Sequence, residues 1–335
     1  MFISKRLYSG VGLLALLLTV LSATAVFSLG VGRYPISGGE ILRYLFCGDY
    51  GDENIPVLIR EVRIPRIIGA ILTGGALSVS GAVYQGLFRN PIVSPDILGV
   101  SSGAGFGAAL AIVLSAGVAG TQFLAFGMGM IAVCLVLSIS RTVNGHDKIL
   151  VLVLSGMIVS ALFGALISLM KYIADAETKL PDITFWLMGS FSNIGMNEIK
   201  FIAPIVVAGL IPAFLCSWKL NVLSFGEEEA LTMGLNTRKI RITLIVCASL
   251  MTASVVSVTG LIGWTGLIVP HFTRFIAGSN NRTLLPAAFI TGAAFMLGVD
   301  DLARSIMPVE IPLGIITSLI GAPLFFVVLI TRAKN

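Results

Sequence analysis

The residues that could do chemistry in this chain are few, and their spacing excludes more than it allows. His146 and His271 lie far apart with no HExxH or CxxC pattern around them, so no metal site is expected. Cys134, Cys216 and Cys247 sit inside apolar runs and Cys47 stands alone in a polar stretch, which gives no disulfide framework. Asp96, Lys171, Asp300, Asp301 and Glu310 all fall near the ends of apolar runs, where their charges are expected to reach water or headgroups. The sequence shows no deep acid, no pair of deep aspartates and no Ser/His pairing, which disfavours both a proton relay and an intramembrane protease. The dipeptide Gly-Lys does not occur, so the GxxxxGK[ST] phosphate cradle cannot form and any ATP chemistry needs a partner chain.

Two polar places remain. The segment 221–236 is too polar to span a membrane, yet it carries helical apolar spacing at Leu223, Ala230, Leu231 and Met233. Gly226 and Gly234 bracket a short helix there, and Glu227, Glu228 and Glu229 at its start complement the helix dipole. On spacing alone, a partner surface and a solvated connector are equally good readings. The second place is a set of three cations, Arg63, Arg66 and Arg304, that arrive on one side of the membrane and invite an anionic partner. Spacing alone favours a plainer fate, pairing with Glu61, Asp300, Asp301 and Glu310 or snorkelling to lipid phosphates.

The elements that must position these residues are membrane helices. Of 335 residues, 56% are hydrophobic and 12% charged, against about 25% charged in soluble domains, and the mean hydropathy is +0.98. At ~20 residues per crossing the expected fold is all-α and polytopic. Ten spans are predicted, near 7–29, 64–86, 93–113, 118–140, 149–172, 198–217, 240–260, 263–277, 284–304 and 312–331. They form one transmembrane domain over 1–335 with no nucleic-acid partner. The first span is read as a retained helix, since it exceeds a signal-peptide core of ~7–15 residues. The span 263–277 is short and follows a Gly260–Gly263 break, so it is either tilted or re-entrant. The polar stretch 33–63 is expected to be the largest loop.

Thirteen of the 22 Lys and Arg residues fall on the side of the N-terminus if every span crosses, against nine opposite, which places both termini in the cytoplasm. Gly99, Gly103 and Gly107, and Gly74, Ser78, Ala82 and Gly86, recur every fourth residue and are expected to face neighbouring helices, with Gly81 beside the second row.

Several stretches together resemble the FecCD family, the permease subunits of bacterial ABC importers for ferric siderophores, haem and cobalamin. They are Arg63-Ile-Pro-Arg66, Gly74 to Gly81 with Gln85, Arg89-Asn90-Pro91, Ser94-Pro95-Asp96 leading to Gly99, Trp186 to Ser190, Gly260 to His271 with Arg274, and Glu310 to Gly314 leading to Gly321-Ala-Pro323. The resemblance covers nearly the whole chain, and Thr265 is a departure from its commoner pattern. It implies ten helices, a second permease subunit in a homo- or heterodimer, an extracytoplasmic substrate-binding protein and location in a bacterial or archaeal cytoplasmic membrane. The chain itself would be no enzyme and hold no cofactor, with ATP and Mg on a cytoplasmic ATPase dimer. It further implies that Gly226, Glu228, Ala230 and Gly234 belong to a coupling helix under that ATPase, that Arg63, Arg66 and Arg304 meet glutamates of the binding protein, and that His271 is a packing residue. A molybdate-type oxyanion is the alternative substrate, and a secondary transporter or channel of a new type the alternative function.

Overall fold

The computed structural model describes residues 10–32, 34–46, 54–143 and 148–333, and their secondary structure is helical, with no strand among them. Lys5, Arg6, Arg33, Cys47, His146 and Lys334 lie outside the described residues. The order is α1 (Gly10–Gly30), α2 (Gly38–Phe46), α3 (Asn54–Val57), α4 (Ile64–Leu87), α5 (Val100–Val113), α6 (Gly117–Thr142), α7 (Lys148–Ile173) and α8 (Lys179–Met188). It continues with α9 (Met196–Leu215), α10 (Ser217–Leu223), α11 (Glu227–Thr232), α12 (Thr237–Thr259), α13 (Thr265–Ala277), α14 (Asn281–Ser305) and α15 (Leu313–Ala333).

Among the described residues, α1, the continuous Asn54–Leu87 helix, α6, α7, α9, α12 and α14 are long and apolar enough to cross a membrane. Val100–Val113 and Leu313–Phe326 are shorter apolar helices, and with α13 they complete the ten predicted spans. The 13 residues of α13 reach about 20 Å at 1.5 Å per residue, less than a hydrocarbon core of ~30 Å. Its start is set by the break: α12 ends at Thr259, Gly260 turns at φ +71°, and Trp264 takes φ +66° before α13 begins.

Within the stretch 33–63, expected as the largest loop, the described residues 38–46 and 54–63 are helical. Its helix α2 starts on a capping box, in which Glu40 accepts from the Ser37 amide at 2.7 Å and Ser37 Oγ accepts from the Glu40 amide at 3.3 Å. Asn54 begins a helix that passes through a π-helical turn (Leu58–Arg63) into α4. Ile36, Ile41, Ile55 and Ile59 fold this region onto a small apolar core of its own. Polar residues between these isoleucines mask that pattern in the sequence.

At the centre stands α4, against α14, α12 and α13, with 83% of its apolar window buried where α1 has 6%. A helix so enclosed needs small side chains, because without a hydrophobic force between helices in lipid, close packing must hold them. Ser80 Oγ donates to Ala248 O at 3.0 Å, and Tyr84 Oη shares a 2.7 Å bond with Ser249 Oγ, fixing α4 against α12.

Candidate functional site

At one end of the bundle the three arginines, the two aspartates and Glu310 form one buried ionic cluster. Arg66 Nε donates to both oxygens of Asp300 at 2.9 and 3.0 Å, while Nη1 and Nη2 form a fork onto Glu310 at 2.8 and 3.1 Å. Arg304 reaches Asp300 at 3.4 Å, pairs with Asp301 and donates to Ser28 O at 2.7 Å. Ser28 Oγ in turn donates to Asp301 at 2.7 Å, so the cluster joins α1, α4, α14 and the start of α15. Arg63 donates to Tyr34 O at 2.8 Å and packs its guanidinium on Gly32, where a Cβ would overlap it. Its Nη1 is buried without a partner among the described residues.

This corrects one expectation, and for Arg66 and Arg304 it bears out the pairing with Asp300, Asp301 and Glu310 that spacing favours, although not with Glu61. Asp300 is fully buried and Asp301 is 7% exposed, so neither charge reaches water as their place near a span end suggested. The cost of burying them is met by arginines from the same helix and from α4, since a buried carboxylate is tolerated when paired and hydrogen-bonded. Arg63, Arg66 and Arg304 are likewise buried rather than displayed, and Glu61 meets only the exposed Arg60 at 4.0 Å. Of the three acids holding Arg66 and Arg304, Glu310 alone keeps an accessible side chain, at 25%.

At the other end, α10 and α11 lie between α9 and α12. Gly226, at φ +143°, precedes α11, and Gly234, at φ +75° with open space around it, follows. Glu227 pairs with Arg241 of α12, while Asn221 donates to Asn280 and accepts from the Asn281 amide, each at 2.8 Å, tying the segment to the start of α14. The apolar residues of the segment divide: Leu223 and Ala230 are buried in the main core, whereas Phe225, Leu231 and Met233 are 71%, 57% and 62% exposed. Glu228 is exposed beside them. Because Ala230 faces inward, a bulky residue there strikes the chain's own core before it strikes any partner.

The small residues lie where helices cross. A Cβ on Gly74 would strike the carbonyl of Gly292 in α14, and one on Gly81 the carbonyl of Gly266 in α13. In α5, Gly103 and Gly107 pack on the α6 backbone at Met128 and Leu124. Gly99 is not on that row, because it is the left-handed cap, φ +74°, that ends the short 3-10 turn Pro95–Leu98 before α5 starts. Gln85 accepts from Arg274 and donates to Leu267 O at 3.1 Å, so both bind α4 to α13. His271 is 5% exposed and meets Phe275 edge-on at 5.2 Å. Among the described residues no three His, Cys, Asp or Glu side chains converge on a point where a metal would sit.

Comparison with known proteins shows the kinship of this arrangement. The FecCD transport family profile matches residues 18–331. The molybdate import system permease protein MolB of Haemophilus influenzae is 43% identical over 93% of this chain and 92% of its own length. The cobalamin import system permease protein BtuC of Halobacterium salinarum is 41% identical over 84% and 75%. A solved structure, described as an inward-facing conformation of a metal-chelate type ABC transporter, superposes with TM-score 0.88 at 41% identity, covering 95% of this chain and 98% of that one. With a family match across nearly its whole length, a bundle of the same shape and relatives that are transport permeases, the chain belongs to the FecCD transport family.

Proposed function

We propose that this chain is the membrane subunit of an ABC importer that carries a metal chelate of the ferric siderophore, haem or cobalamin type by alternating access. It pairs with a second permease subunit, takes no part in bond chemistry and holds no cofactor. ATP and Mg act on a separate cytoplasmic ATPase dimer. The observation that carries this reading is the α10–α11 segment. It is anchored to α12 and α14 by Arg241, Asn280 and Asn281, yet it presents Phe225, Leu231 and Met233 to water. Three exposed apolar side chains around Glu228 on a rigid base suit the groove of a docking protein. Gly226 and Gly234 set the turns that present them. Leu231→Asp with Met233→Asp should leave insertion intact and abolish both ATPase co-purification and uptake. Co-purification at the wild-type level would overturn the assignment.

A binding protein is proposed to dock on the outer rim around Arg63, Arg66 and Arg304. The arginines are buried, so a partner carboxylate reaches Arg66 by replacing Glu310, whose side chain is the accessible member of the pair. Glu310→Gln should then strengthen docking several-fold at low ionic strength, and unchanged affinity would remove Arg66 from the interface. The kinship with a molybdate permease favours a second reading, a molybdate-type oxyanion as substrate. Uptake of radiolabelled molybdate by the wild-type transporter tests it directly.

A further inference from the structure

Three interruptions of the helical backbone meet beside the ionic cluster: the end of α8 at 188–190, the break at 260–263, and the connection from α14 to α15. Gly189 O accepts from the Leu313 amide at 2.9 Å, and Thr259 O accepts from the Ser190 amide at 2.8 Å. The backbones approach so closely that a Cβ on Gly314 would lie 2.6 Å from Met188 O, and one on Gly189 2.5 Å from Leu261 O. Hydrogen bonds across this junction satisfy groups that each interruption takes out of its helix. The start of α15 is therefore seated on the end of α8 by backbone contacts.

Glu310 links that seat to the cluster. It stands three residues before Leu313, and its carboxylate takes the guanidinium fork of Arg66 from α4. The next amide, that of Ile311, donates to Ala303 O of α14 at 3.1 Å. The chain just before it is open to solvent, with Ile306, Met307 and Val309 58%, 56% and 76% exposed, so the fork ties an exposed connection to α4. A released Glu310 has room to move, because Val309, Glu310 and Pro312 line a cleft of about 980 Å³ together with Ser190 and Thr259. Arg66 does not depend on Glu310 for its charge balance. Asp300, fully buried, accepts from Arg66 Nε with both oxygens and remains when Glu310 leaves.

We propose that Glu310 is a latch: a carboxylate of the docking protein takes its place on Arg66, and the freed connection loosens the seat of α15 on Gly189. Docking is thereby passed to a membrane helix through one exchanged ion pair. This rests on the docking reading above and goes beyond it, since it assigns the displaced carboxylate a mechanical role. A second carboxylate can reproduce the two-bond fork without any change at Arg66, so the two states differ in which chain holds the arginine.

The test follows backbone hydrogen exchange by mass spectrometry in the complete transporter in nanodiscs, with and without its cognate binding protein. The peptide 311–318 carries the Leu313 amide, and Leu313 is buried, so it reports the seat of α15 and not cover by a docked protein. Bound binding protein should speed exchange of this peptide at least ten-fold. Glu310→Gln should speed it without the binding protein, while the enclosed segment 70–84 of α4 stays slow in every case, which a general loss of stability would not allow. Slow exchange of 311–318 in Glu310→Gln, or equal acceleration of 70–84, overturns the latch. Exchange that stays slow in the wild type with the binding protein bound also overturns it, and leaves docking at Arg66 standing if Glu310→Gln binds that protein more tightly. Unchanged affinity in Glu310→Gln overturns the docking reading and the latch with it.

Discussion

Arg66 meets two carboxylates at once, and they are not equivalent. Asp300 is enclosed, and Glu310 is a quarter exposed. Removing one member of a buried pair leaves an uncompensated charge and costs about 3–5 kcal/mol, whereas an exposed pair is worth ~0.2–1 kcal/mol. Asp300→Ala should therefore lower the melting temperature in detergent far more than Glu310→Ala. Equal shifts would mean that the cluster is wetter than its geometry. The same argument bars charge reversal at Arg66 as a clean docking test, since a glutamate there would face Asp300 and Glu310. The sequence makes part of this cluster readable: Asp300 and Asp301 stand four and three residues before Arg304, on one helical face. The Arg66–Asp300 contact joins residues 234 apart in the chain, and no local spacing reveals which helix ends will meet.

At the scale of elements, hydropathy places the crossings because lipid demands long apolar helices. What it hides are elements that lie outside that rule. The amphipathic helix α2 and the extension of α4 back to Asn54 are mixed in polarity, and α10–α11 is divided between buried and exposed faces. Glycine rows read as packing faces in the sequence, and the structure supplies what they touch, except at Gly99, where a turn rather than a contact calls for glycine. The rows give a test. Gly81→Ala would drive a methyl into the Gly266 carbonyl and force α4 and α13 apart, lowering the yield of monodisperse protein, by a mechanism that costs ~1–3 kcal/mol in packed cores. Gly164→Ala on α7 meets nothing within 4 Å and should leave yield and melting temperature unchanged or slightly improved. A comparable loss at both positions would show that the effect is on glycine content and not on the α4–α13 crossing.

For the whole molecule the two proposed docking faces must lie on opposite sides of the membrane, and that depends on helices too short to guarantee it. The 14 residues of α5 and 13 of α13 extend about 20 Å each, against a core of ~30 Å. Parity nevertheless requires both to count as crossings: between Asn54 and Arg238 lie α4, α5, α6, α7 and α9, and between Arg238 and Val309 lie α12, α13 and α14. They can be short because they are not lipid-exposed along their length. Both are largely buried, and the breaks beside them are enclosed by α4 and α7 or turned by Gly260, so irregular backbone at membrane depth stays inside protein. Thirteen cations against nine then orient the bundle with Arg238 inside. Single cysteines replacing Asn54, Arg238 and Val309, all exposed, read these steps separately. An impermeant maleimide added to intact cells should label Asn54→Cys and Val309→Cys, and should label Arg238→Cys only after the membrane is opened. Labelling of Asn54→Cys and Arg238→Cys from the same side would mean that α5 does not complete a crossing. Labelling of Val309→Cys and Arg238→Cys from the same side would say the same of α13, and a full exchange of sides would place the α10–α11 surface where no cytoplasmic ATPase could reach it.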